Sequence, residues 1–80
     1  MDTAAVYARL TDIFRDVLDN DEIVLTPQLT AKDIDGWDSL AHVRLILTVE
    51  KAFHVSFTAS QVGRLKNVGE LADLIQSKAS

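Results

Sequence analysis

Cysteine is absent from this chain of eighty residues, proline and tryptophan occur once each, and glycine occurs three times. Without cysteine there is no disulfide, no thiolate metal ligand and no cysteine nucleophile, and a reducing compartment suits such a chain. No stretch approaches the roughly 18 consecutive apolar residues that a membrane-spanning helix needs, and no charged-then-apolar leader follows Met1. No segment alternates apolar and polar residues over a useful length, no internal repeat is present, and nothing is low in complexity. Eight Lys and Arg stand against twelve Asp and Glu, for a formal charge of −4. A chain this short buries only about 60% of the surface that it exposes when unfolded, so a large internal active-site cavity would compete with the core. These absences leave one small domain over residues 1–80, expected to be soluble, cytoplasmic and free-standing, with any chemistry at its surface.

The charge is unevenly spread. Residues 1–15 balance, residues 16–38 hold seven acids against Lys32 alone for −6, and residues 39–80 carry +2. A concentrated acidic segment disfavours a nucleic-acid backbone, and the later basic residues are too scattered to form a stripe, so nucleic-acid binding is not expected.

Apolar residues Val6, Leu10, Ile13, Phe14, Val17 and Leu18 recur three and four apart, which predicts a first helix over Thr3 to Leu18. Asn20 to Asp38 shows no period, contains Pro27 and an Asp35-Gly36 turn signal, and reads as a long connection. Unstructured loops beyond about 12–15 residues are uncommon, so this one needs anchors, for which Ile23, Leu25, Leu29 and Ile34 are the candidates. Asp38-Ser39 opens a second helix that runs to about Phe53. Its apolar arc is wider than one core-facing stripe, which predicts that Leu40 or Leu47 lies at the rim, and His54 falls in the turn that ends it. Thr58 with Gln61 forms a capping box, stapled by Phe57 and Val62, at the head of a short third helix that ends within about two turns. Asn67 and Glu70 form a similar pair opening a last helix whose Val68, Leu71, Ala72, Leu74 and Ile75 face inward. Gln76 to Ser80 are expected to fray. The fold class is all-α: four helices, with a long loop between the first two and a short third helix.

The chemistry concentrates in Asp35-Gly36-Trp37-Asp38-Ser39-Leu40-Ala41-His42. Ser39 falls at the start of the second helix, where unpaired N–H groups and the positive end of the dipole favour a phosphate ester. The same position suits a plain N-cap role for Ser39 or Asp38. A calcium loop does not fit, because setting Gly36 at its sixth position puts Ala31 and His42 where acidic ligands are required. A Ser39–His42 hydrolase pair lacks an orienting acid and an oxyanion hole, and His42 reads as solvent-facing. Trp37 fits either an anchor for a partner or a ring folded over the loop to cover the helix start.

The Asp38-Ser39-Leu40 tripeptide, with Gly36 two residues before it and Val43, Leu45, Ile46, Glu50 and Phe53 after it at helical spacing, resembles the phosphopantetheine attachment site of acyl carrier proteins. The resemblance covers most of the chain, including the amphipathic first helix, the loop with Thr26-Pro27, and the last helix opening near Val68. It implies a non-enzymatic carrier in which a phosphopantetheinyl transferase moves 4′-phosphopantetheine from coenzyme A onto Ser39. The arm would bring the thiol that the chain itself lacks, and cargo would ride on it as a thioester. Asp38 is implied to sit beside the transferase's Mg²⁺, without a metal site in the chain itself. Leu40 and Leu47, with Trp37, Arg44 and Lys51, are the expected contacts for a loading ligase or transferase and for synthase enzymes, which the chain meets as a monomer. Many fatty-acid carriers have a strongly acidic second helix, whereas this one has His42, Arg44 and Lys51 with Glu50 as its only acid. That departure argues against a general housekeeping fatty-acid carrier and, within fatty-acid, polyketide or related biosynthesis, points to a specialised pathway such as polyketide, aminoacyl or modified-acyl assembly. The absence of a Gly-Gly pair before Ser39 leans toward acyl cargo; an aminoacyl or peptidyl carrier, and an unmodified helical interaction module, are the alternatives.

Overall fold

A computed structural model describes residues 2–79 and contains, among them, four α-helices and no strand. Helix α1 spans Thr3–Val17, α2 Ser39–Phe53, α3 Ala59–Gly63 and α4 Val68–Ala79, and a single 3-10 turn occupies Ala31–Asp33. Asp2 caps α1 by accepting the Ala5 N–H at 2.7 Å. The predicted apolar stripe of α1 is buried at Val6, Leu10, Ile13 and Phe14, against α2 and α4. Leu45, Ile46, Val49 and Phe53 of α2 and Val68, Leu71, Ala72 and Ile75 of α4 complete the cluster. Burial, with the nearby Asp73 carboxylate as a lesser cause, pushes the Tyr7 phenol above its ordinary value, so this hydroxyl stays neutral on the flank of α1.

Both long helices stop in the same way. Asp19 (φ 51°) and His54 (φ 55°) adopt the left-handed conformation. The N–H groups of Asn20 and Val55 then turn back to the carbonyls of Arg15 at 3.0 Å and Glu50 at 3.1 Å. This is the reverse turn that usually employs glycine, here built on an aspartate and a histidine. Arg9 adds a second lock on the end of α2, its Nη1 donating to the Ala52 carbonyl at 2.6 Å while the guanidinium lies 5.7 Å from the centre of the Phe53 ring.

The long connection is anchored as its length required. Ile23 is buried, and Leu25, Leu29 and Ile34 are half-buried against the core. Arg15 Nε holds the Ile23 carbonyl at 3.0 Å. Further along, the loop binds the start of α4: the Val68 N–H donates to Leu29 O at 2.9 Å and the Gly69 N–H to Pro27 O at 3.0 Å. Two of the donors that a helix start leaves without partners are thereby satisfied by the loop. Gly69 permits the approach, since a Cβ at that position would sit 3.0 Å from Pro27 O and 3.1 Å from Pro27 Cβ.

The predicted Thr58–Gln61 capping box is present, with bonds of 3.1 and 2.9 Å. At the head of α4 the expected pair is altered. Asn67 Oδ1 accepts from the Glu70 N–H at 2.9 Å, but the Glu70 carboxylate reaches past Asn67 to the Lys66 N–H at 2.6 Å. Leu74 is only half-buried, because α3 is too short to cover that side of α4, leaving a hollow lined by Gln61, Arg64, Leu65 and Asp73. The tail expected to fray is helical through Ala79, and Gln76 Nε2 donates to Thr3 Oγ1 at 2.9 Å, tying the last helix to the first turn of α1. Ser80 lies outside the described residues.

Candidate functional site

The site is built where the acidic loop meets α2. Gly36 turns the chain with φ 88°, a conformation that side-chain-bearing residues rarely adopt. Asp38 is the cap, its Oδ1 accepting the Ala41 N–H at 2.8 Å while its carbonyl takes the His42 N–H at 2.9 Å. Ser39 is therefore the first residue inside the helix, not the cap. Its side chain is exposed, and among the described residues its hydroxyl has no hydrogen-bond partner. The N–H groups of Ser39 and Leu40 have no intrahelical acceptor at this position, and the dipole of a fifteen-residue helix adds partial positive charge there.

Beside Ser39 opens a cavity of about 270 Å³, lined on the near side by Asp38, Ser39 and His42 and on the far side by Leu65, Lys66, Asn67 and Leu71. The far residues had no signal in the sequence as site residues, because only the tertiary fold brings the start of α4 next to the start of α2. An exposed hydroxyl, unpaired helix N–H groups and an adjoining cavity with a lysine on its wall suit a phosphate ester with an extended substituent.

Of the two roles that Trp37 fits, the structure shows the ring folded over the helix start. It is 9% exposed and belongs to the core, its ring set edge-on against Phe14 with centroids 5.0 Å apart. Its indole Nε1–H donates to His42 Nδ1 at 3.2 Å, which satisfies the buried indole. His42, expected to face solvent, is instead half-buried against that ring. No hydrogen bond joins it to Ser39, and no three His, Asp or Glu side chains among the described residues gather as a metal-binding set.

Leu40, Val43 and Leu47 form an outward apolar strip on α2, exposed by 72%, 52% and 53%. One of Leu40 and Leu47 is expected at the rim from the width of the apolar arc; both are there, and Val43 completes the strip at helical spacing. Arg44 and Lys51 are exposed on the same helix. Glu50, its only acid, is turned away, accepting the Phe57 N–H at 2.8 Å. The displayed charge of α2 is thus basic.

Four helices in this order, a long anchored loop and a serine hydroxyl presented at the head of the second helix define a small all-α carrier-type domain. Residues 8–75 match the family described as the phosphopantetheine attachment site. The chain is 32% identical to an acyl carrier protein of Syntrophobacter fumaroxidans over 81 residues, covering both chains fully. It is 29% identical to an acyl carrier protein of Coprothermobacter proteolyticus over 77 residues, covering 96% of this chain and 94% of the relative. The solution structure of holo acyl carrier protein from Geobacter metallireducens superposes with a TM-score of 0.86 at 48% identity, over 91% of this chain and 84% of that one. The chain belongs to the acyl carrier protein family, whose members are carriers bearing 4′-phosphopantetheine rather than enzymes.

Proposed function

We propose that this chain is a single carrier domain of the cytoplasm that bears its 4′-phosphopantetheine on Ser39 and presents acyl groups to the enzymes of a specialised fatty-acid, polyketide or related pathway. The observation that carries this reading is the Ser39 hydroxyl, exposed and unbonded at the first position of α2 while Asp38 performs the capping. On a transferase, Ser39 Oγ attacks the coenzyme A phosphorus nearest the pantetheine. The hydroxyl proton passes to a base of that enzyme, and the adenosine bisphosphate half departs. Asp38 spends one carboxylate oxygen on the cap, and its other oxygen is a suitable ligand for the transferase's Mg²⁺. Bound there, the arm supplies a terminal thiol that holds cargo as a thioester. The α2 N–H groups offer donors to the phosphate, and Leu40, Leu47, Arg44 and Lys51 meet the partner enzymes: the transferase, a loading ligase or acyltransferase, and the synthases. Among the described residues no helix is long and apolar enough to cross a membrane, in keeping with a diffusible carrier.

Incubation with coenzyme A, Mg²⁺ and a broad-specificity phosphopantetheinyl transferase, followed by intact-mass measurement, should add one phosphopantetheine to the wild-type chain and none to Ser39→Ala. Addition that persists in the variant, or no addition to either, sinks the assignment.

A further inference from the structure

Trp37 and His42 form a pair that packing alone does not require. The indole Nε1–H donates to His42 Nδ1 at 3.2 Å, and the two ring planes are 26° apart with centroids 6.0 Å from each other. The indole is wedged against Phe14 in the core, so the donor is fixed in place. A ring nitrogen that accepts a hydrogen bond carries no proton, so while this bond is made the imidazole proton of His42 is the one on Nε2. That arrangement removes His42 as a base toward Ser39 and makes it a hydrogen-bond donor. His42 sits three residues beyond Ser39, on the same face of α2. Both side chains line the 270 Å³ cavity that also contains Lys66. Trp37 is the one hydrogen-bond partner of the His42 side chain among the described residues, which leaves the Nε2–H to serve whatever is attached beside it.

We propose that His42 is a positioning residue for the carrier arm: its Nε2–H donates to a non-bridging oxygen of the Ser39 phosphodiester, and Trp37 fixes which ring nitrogen makes that bond. The inference rests on attachment at Ser39. A phosphodiester keeps one negative charge shared between two oxygens, and a fixed N–H on one side, with the Lys66 ammonium on the cavity wall, suits that geometry. The pair thereby links the orientation of the arm to the packing of the loop on α1.

The test uses the enzymatically modified protein as wild type, His42→Phe and His42→Gln, each verified by intact mass. Phosphorus NMR reads the diester, and imidazole nitrogen NMR reads the tautomer of His42. The expected wild-type result is an Nε2–H tautomer before modification and a diester resonance displaced from that of the free arm. His42→Phe keeps a ring against Trp37 but has no donor, and should return the resonance to the free-arm position. His42→Gln, with an amide donor, should restore part of the displacement. An Nδ1–H tautomer, or the same phosphorus resonance in all three fully modified proteins, overturns the inference and leaves attachment at Ser39 intact. Failure of the wild type to take up the arm, or uptake that survives Ser39→Ala, overturns the attachment itself and the inference with it. Should His42→Phe misfold, the comparison of wild type with His42→Gln and the wild-type tautomer still decide.

Discussion

His54 and Asp19 occupy backbone positions that an L side chain tolerates at a cost of about 1 kcal/mol or more relative to glycine. Both are exposed, and among the described residues neither side chain has a tertiary hydrogen-bond partner that would offset this cost. Replacing His54 with Gly should therefore stabilise the fold by roughly 1 kcal/mol, a rise in Tm of about 4–8 °C for a domain of this size. Urea or thermal unfolding measures it, and an unchanged or lowered Tm would show that the imidazole has a stabilising contact of its own. The place of His54 was legible, since it follows the last apolar residue of α2. The matching role of Asp19 was not, because an aspartate in an acidic loop gives no sign that it will adopt a positive φ. Asp38 and Ser39 were legible as a helix start, yet which of them caps was not: a serine and an aspartate are equally good caps, and only the backbone decides which hydrogen bond forms. Trp37 shows the same limit, since a lone indole beside a helix start fits burial and exposure alike until Phe14 is seen beneath it.

Among the elements, α4 depends most on something outside itself. Its first two N–H groups are bound by carbonyls of a loop some forty residues earlier, and the contact is close enough that a Cβ at Gly69 would crowd Pro27. Glycine is ordinarily worse than alanine inside a helix by about 1 kcal/mol, so Gly69→Ala would be stabilising if propensity alone decided. Here the added methyl meets Pro27 O and Pro27 Cβ, and the expected outcome is a loss of about 1–3 kcal/mol. Amide exchange should quicken at residues 68 and 69 before the middle of α4 is affected. A stabilised variant with unchanged exchange would show that the loop can shift without loss. This contact had no sequence signature, because glycine near a helix start reads as weak propensity and not as room for another strand of chain. Where interactions are local the elements were legible: the periodicity of α1 and α2 and the Thr58 capping box all follow from residues within a few positions. The reach of Glu70 to Lys66, the half-exposure of Leu74 and the tie from Gln76 to Thr3 depend on how helices assemble, and so they differ from the local reading.

At the scale of the molecule, the fold and the place of Ser39 were legible in the order and spacing of the helices, whereas the cavity was not, its two walls being far apart in the chain. The sign of the charge on α2 was also legible, and the structure strengthens it by turning Glu50 inward to the Phe57 N–H. Arg44 and Lys51 therefore stand exposed beside the strip of Leu40, Val43 and Leu47, while the one acid of that helix, Glu50, is half-buried and bonded to the Phe57 N–H, a surface suited to a partner whose docking face is acidic around an apolar centre. The double substitution Arg44→Glu with Lys51→Glu should slow association with such partners by at least tenfold at low salt, with the difference shrinking as salt rises. Circular dichroism should stay unchanged, because both side chains are exposed. Equal rates across a panel of synthases and loading ligases would argue that this helix does not steer encounter. Trp37 has a consequence of another kind. As the sole indole of the chain, seated on α1, rising from the loop and bonded to α2, it gives the protein a single intrinsic fluorophore at the junction of three elements. Excited at the red edge, where Tyr7 is silent, its emission reads the state of that junction alone, so unfolding, loosening of the loop and changes at the head of α2 can be followed in solution without any added label.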